Sequence, residues 1–142
     1  MAIMDRPTSI TIPAKPEYVS VARLVVAACA DLLGFDGDAV EDIKIAVSEA
    51  CTNAILQLHR EARTEERVVT LSVYATEQSL VIEVVFIARE PSGIEHAQRQ
   101  LRERDLGMSI LTSIMDKVEI SRAREDGVTI KLAKDIPVEY PK

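Results

Sequence analysis

The sequence predicts an α+β fold in which helices lie on one face of a mixed, mostly antiparallel sheet. Two segments, 17–33 and 39–60, carry apolar residues at the three- and four-residue spacing of a helix. The remaining apolar runs are short, rich in β-branched residues and divided by tight polar turns, so they pair as hairpins. Helices that interrupt a hairpin-connected sheet bury their apolar stripes against it, which gives the α+β class.

Thr8 to Pro13 alternates apolar and polar residues and is stopped by proline, the pattern of an edge strand. Pro16 stands where a first helical turn begins. Val21, Leu24, Val25, Ala28 and Leu32 then mark a helix that ends near Gly34. Asp38 is the expected N-cap of the second helix, with Glu41 as its capping-box partner. That helix runs to about Arg60 and turns Ile43, Val47, Ala50, Ala54 and Leu58 inward.

Val68–Tyr74 and Leu80–Phe86 form a hairpin around the turn Thr76-Glu77-Gln78-Ser79. Residues 88–105 break the pattern with Pro91, Ser92 and Gly93, then a charged stretch. They read either as a mobile lid, bounded as 88–106, or as a solvated surface loop. Gly107 opens a short helix over 108–115. Strands 118–122 and 128–134 follow, joined by a turn at Glu125-Asp126-Gly127.

The 142 residues fit one domain, read as 1–142, and the 47% hydrophobic content suffices for one aliphatic core. A net charge of −6 gains nothing from counterion release, which argues against nucleic acid as a direct ligand. No apolar run approaches the ~20 residues that span a bilayer, and no leader pattern opens the chain. A soluble, cytoplasmic protein is expected. Cys29 and Cys51 fall in helical apolar patterns and read as buried free thiols. His59 and His96 have no zinc-ligand spacing.

On the second helix, Asp42, Glu49 and Asn53 form a polar stripe beside the apolar face. Glu49 and Asn53 are one turn apart and neighbours. One reading is an amide at the helix border paired to backbone. The other is a metal–nucleotide site: an amide oxygen is a hard ligand suited to Mg²⁺, and a carboxylate one turn earlier can orient water or accept a hydroxyl proton.

Ser48 to His59 (SEACTNAILQLH) resembles the N box, E-x-x-x-N-A, of the gyrase and histidine-kinase ATPase superfamily with the Bergerat fold. Asp105 to Ile120 (DLGMSILTSIMDKVEI) resembles the glycine box, helix and strand of its anti-sigma factor serine kinases. Asp126 to Lys134 (DGVTIKLAK) is similar to their closing turn and strand. The resemblance covers nearly the whole chain.

It implies a two-layer α/β sandwich that binds ATP and Mg²⁺. It further implies a homodimer that sequesters a sigma factor and phosphorylates a small antagonist protein on serine or threonine. Transferred by motif, Glu49 is the general base or water-orienting carboxylate and Asn53 the Mg²⁺ ligand. Gly93, Leu106, Gly107, Met108 and Thr129 line the nucleotide.

Departures from the family pattern bear on the chemistry. The family's first glycine box reads D-x-G-x-G, with the Asp accepting from the adenine amine; here Arg89 and Pro91 stand at the Asp and first Gly. Arginine offers only donors. The second box, G-[LM]-G, reads Asp105-Leu106-Gly107, which adds an acid where phosphates belong; like charges at ~4 Å cost roughly 1–4 kcal/mol. Arg99, Arg102 and Arg104 in the lid segment either pair with phosphates or are a solvated turn.

Three functions stay open at this point: an active anti-sigma serine kinase, a partner-switching adaptor independent of nucleotide, and an ATPase-like sensor domain with another output. The N box favours the first and the altered glycine boxes the second. The short chain speaks against the third.

Overall fold

The computed structural model describes residues 4, 6–60, 67–87, 95, 99, 107–122 and 127–137. In chain order the elements are strand β1 (Thr8–Pro13), a 3-10 turn (Pro16–Tyr18), helix α1 (Val19–Leu32) and helix α2 (Gly37–Arg60). There follow β2 (Val68–Ala75), β3 (Ser79–Ile87), helix α3 (Gly107–Ile114), β4 (Lys117–Arg122) and β5 (Gly127–Asp135). The sheet order is β1-β2-β3-β5-β4, and each described pairing is antiparallel, including those where the sequence leaves room for a mixed sheet.

Alternation along the strands builds the two layers. Ile12 on β1, Val69, Leu71 and Val73 on β2, and Leu80, Ile82, Val84 and Phe86 on β3 belong to the core, with the partly buried Ile10 packed against it. Val128, Ile130 and Leu132 on β5 join them. Against this face α1 packs on β1 and β2, α2 on β2 and β3, and α3 on α2 and β4. The helices therefore cross the sheet in the order α1, α2, α3. The opposite face carries paired hydroxyls, such as Ser9 with Ser72 and Thr11 with Thr70.

The expected hairpin is present, with Tyr74 opposite Val81. Its turn closes on Thr76, whose amide donates to the Ser79 carbonyl at 2.8 Å while its hydroxyl accepts from the Ser79 amide at 3.0 Å. The five residues expected inward on the second helix are all buried. Both cysteines are free and buried. Burial lifts the Cys51 thiol to about 12. Burial also raises the Cys29 thiol, partly opposed by a hydrogen bond with Thr8.

Two local expectations are corrected. The cap of α2 is Asp36 rather than Asp38: its carboxylate accepts the Ala39 amide at 2.8 Å, and its carbonyl accepts the Val40 amide. Asp38 lies in the first turn, and Glu41 pairs with Lys44 instead of closing a capping box. On α1 the apolar stripe that marked the helix is not its buried one. Val21, Leu24 and Leu32 are exposed, while Val19, Ala22, Val26, Cys29 and Ala30 are buried. The helix is so rich in apolar residues that two stripes satisfy the spacing, and the one with small alanines admits closer packing on α2.

Helix α1 ends as expected at Gly34, whose φ of 87° suits glycine; Phe35 then donates back to the Ala30 carbonyl. Of the segment expected as a lid or solvated loop, only Glu95 and Arg99 are described. Both are helical and exposed.

Candidate functional site

Helix α2 carries the expected site residues Glu49 and Asn53 along one flank. Glu49, Asn53 and Gln57 follow one another at four-residue spacing, so each is rotated ~40° from the last and rises ~6 Å along the axis. The rotation carries the row inward. Glu49 is half-buried, and Asn53 and Gln57 are fully buried. The sequence reading missed Gln57; its signal was the third position of the 49–53–57 row.

The other flank of α2 belongs to α1. The Ser48 hydroxyl donates to the Lys44 carbonyl at 2.9 Å and receives the Arg23 guanidinium at 3.4 Å. With α1 held there, the 49–53–57 row lies on the part of α2 turned away from Ser48. A groove of about 380 Å³ opens at the outer edge, lined by Arg23, Glu41, Lys44, Ile45, Ser48 and Glu49. Glu49 thus joins an exposed, charged groove to a row that ends inside the protein.

Anchors at both ends of the layer fix the geometry. At the C-terminus of α2 the Arg67 guanidinium donates to the Leu58 carbonyl, and His59 Nε2 lies 2.9 Å from the Ala14 carbonyl. A cation on the final carbonyls also complements the helix dipole. At the end of α3, Lys134 Nζ donates to the Ile114 carbonyl at 2.6 Å, tying that helix to β5. The Asp135 amide donates to Asp116 Oδ2 at 2.7 Å.

The expected site residues divide three ways. Glu49 and Asn53 are brought together on α2. Gly107 opens α3 as expected and Met108 follows it, on the helix that packs against α2. Gly93 and Leu106 lie outside the described residues, as do Arg89, Pro91, Asp105 and most of the boundary 88–107 expected for the cleft.

Thr129 is separated from the rest. It alternates with the core residues Val128 and Ile130 and sits opposite Val85 and Ser121. Strand alternation therefore puts its side chain on the face away from the helices, and it does not join Asn53.

The donor set suits a nucleotide with its metal. Among the described residues no group of three His, Cys, Asp or Glu side chains could cage a cation. Mg²⁺ held by one amide oxygen, with waters and phosphates as its other ligands, needs no such cage. Both polar atoms of the Gln57 amide are buried without a hydrogen-bond partner among the described residues, so the row ends in capacity for a polar ligand. No described helix is long and apolar enough to cross a membrane.

The family model for the histidine kinase-like ATPase domain matches residues 12–134. The chain is 34% identical to the serine-protein kinase RsbW of Bacillus licheniformis over 131 residues, covering 86% of this chain and 81% of that protein. It is 32% identical to the serine-protein kinase RsbW of Bacillus subtilis (strain 168) over 132 residues, covering 87% and 81%. With the serine-protein kinase RsbW of Oceanobacillus iheyensis it shares 33% over 137 residues, covering 90% and 85%.

Proposed function

The chain belongs to the histidine kinase-like ATPase domain family, and on that premise we propose that it is an anti-sigma regulator of a bacterial partner-switching system. It is read as one cytoplasmic domain that binds a sigma factor as a homodimer and phosphorylates a small antagonist on serine or threonine. The observation that carries this reading is the placement of Glu49 and Asn53. They stand one turn apart on α2, Glu49 half-buried at the rim of a groove and Asn53 fully buried, in a chain 32–35% identical to serine-protein kinases over most of its length.

Bound ATP with Mg²⁺ supplies the phosphoryl group. Asn53 would hold the metal through its amide oxygen, a neutral hard ligand. Glu49 is half-buried at the groove, where a serine or threonine hydroxyl of the antagonist can reach it; its carboxylate orients that hydroxyl and accepts its proton. Gly107 and Met108 form the first turn of α3, whose amide N–H groups are the natural partners of phosphate oxygens. Gly93 and Leu106 complete the two glycine boxes in this reading. Thr129, on the far face of the sheet, is left out.

Arg89, Pro91 and Asp105 set the strength of binding in this proposal. An adenine acceptor is lost and a negative charge is added at the phosphates, so the nucleotide is held weakly. Titration of the protein with Mg·ATP by calorimetry tests the reading, alongside transfer of labelled phosphate to a candidate antagonist. Saturable binding lost in Asn53→Ala, and transfer lost in Glu49→Gln with binding retained, are expected. Full transfer by Glu49→Gln would remove the general-base role. Absence of binding up to millimolar Mg·ATP would leave a nucleotide-independent adaptor.

A further inference from the structure

Strand alternation on β5 turns Ile130 and Leu132 toward the helices, and Lys134 follows on the same side, opposite Leu80 of β3. A lysine is an uncommon choice on the core side of a strand. Leucine or methionine would pack on Leu80 without drawing an ammonium out of water. Lys134 is half-buried, and its Nζ donates to the Ile114 carbonyl at 2.6 Å. That carbonyl belongs to the last residue of α3, where the helix itself supplies no partner.

The chain that leaves α3 is tied to β5 twice more. The Asp116 amide donates to the Ala133 carbonyl at 2.9 Å, and the Asp135 amide donates to Asp116 Oδ2 at 2.7 Å. β5 lies between β3 and β4, paired on both sides, so the footing is firm. Of these three bonds, the one from Lys134 holds the helix rather than the turn after it. Among the described side chains of α3, Leu111 is the one that is fully buried. A single buried side chain gives an eight-residue helix a pivot but not a direction. A second fixed point at Ile114 sets the direction.

We propose that Lys134 is a positioning residue for phosphate binding: by fixing the C-terminal end of α3 on β5, it aims the amides of the first turn at the nucleotide. This rests on the nucleotide-binding reading above. Gly107 stands roughly 10 Å along the helix from Ile114, so a swing of about 10° moves the first-turn amides by about 2 Å. Misplacement by ~1 Å can weaken a positioned contact by as much as ~100-fold. The ammonium touches no ligand in this scheme; its effect passes through the axis of α3.

The test compares wild type, Lys134→Met, Lys134→Leu and Lys134→Arg as full chains. Thermal melting shows that each is folded, and calorimetric titration gives its Mg·ATP affinity. Amide hydrogen exchange over residues 107–110 is then followed with and without Mg·ATP, at the same fractional saturation of each protein. Lys134→Met and Lys134→Leu should bind Mg·ATP about tenfold more weakly. They should also lose the protection that Mg·ATP gives residues 107–110 while keeping that on α2. Lys134→Arg retains a donor for the Ile114 carbonyl and should bind within about threefold of wild type. Wild-type affinity in both apolar variants overturns the proposal alone. So does undiminished protection of 107–110 in them, or a loss in Lys134→Arg as large as theirs. Wild type that binds no Mg·ATP overturns the nucleotide reading with it.

Discussion

The Arg23 guanidinium reaches across from α1 to the Ser48 hydroxyl at 3.4 Å, on the flank of α2 opposite the Glu49–Asn53–Gln57 row. Ser48 passes the contact on to the Lys44 carbonyl at 2.9 Å. This polar seam joins α1 to α2 beside their apolar contact, on the flank away from that row.

The seam is long for a hydrogen bond and only partly buried, so its contribution is small. Arg23→Ala and Ser48→Ala should each lower unfolding free energy by about 0.5–1.5 kcal/mol. A double-mutant cycle should return a coupling of at most about 1 kcal/mol. Coupling indistinguishable from zero would show that the two side chains meet without holding the helices.

The start of α2 gives a sharper contrast. Asp36 accepts the Ala39 amide at 2.8 Å, so Asp36→Ala should destabilise by about 1 kcal/mol. Asp38→Ala removes only a first-turn charge and should stay within ~0.5 kcal/mol of wild type. Urea denaturation of the two variants checks this, and a larger loss at Asp38 would return the cap to that residue.

This cap shows where sequence pattern stops being informative. Asp36 and Asp38 are both good caps by type, and only the carbonyl that receives the first helical bond decides between them. The same ambiguity arose on α1, where Leu24 fits the helical period yet is 68% exposed, while Ala22 and Val26 are buried. Strand pairing was easier to read, because alternation and the Thr76–Ser79 turn leave little choice of register. At the site, the E-x-x-x-N spacing sufficed to place Glu49 and Asn53 together. Thr129 was misplaced because a motif names a position without saying which face of the strand it occupies. Gln57 was passed over because a glutamine among apolar residues reads as surface until its burial is known.

Burial of Cys51 has a pH signature. Its thiol is raised from 9.0 to about 12 in the folded protein, so folding favours the protonated form. The unfolded chain loses that proton first. Stability from this group is therefore fully present below pH 9 and declines as pH rises toward 12. The slope is one proton, ~1.4 kcal/mol per pH unit. Cys29 and Tyr74 are shifted in the same direction and add to the alkaline loss. Cys51→Ala should reduce the slope of unfolding free energy against pH by about one proton between 9 and 12, measured by urea titration at several pH values. An unchanged slope would mean that the thiolate is tolerated in the fold. At pH 8 the native thiol should also resist iodoacetamide, since it is both neutral and fully buried.

The glycine boxes carry the prediction that bears most on function. Arg89 cannot accept a hydrogen bond from an adenine amine, and Asp105 adds a negative charge two residues ahead of α3 in sequence, whose first amides would meet the phosphates of the proposed nucleotide. Reverting these positions, as Arg89→Asp with Pro91→Gly and Asp105→Gly, should strengthen Mg·ATP binding by about 1–4 kcal/mol. Adding Asn53→Ala to the reverted protein should remove that gain, because the phosphates would lose the amide oxygen proposed to hold their metal. The measurement is the Mg·ATP dissociation constant of four proteins: wild type, the reverted protein, Asn53→Ala, and the reverted protein with Asn53→Ala. Each carries its own meaning. Wild type that already binds as tightly as the reverted protein would make Arg89 and Asp105 harmless, with the site built on other groups. A gain that survives Asn53→Ala would place the metal elsewhere and remove the role proposed for Asn53. A gain lost with Asn53 ties the chemistry of residues 89–105 to the buried amide on α2, the coupling that a single nucleotide bridging the two requires.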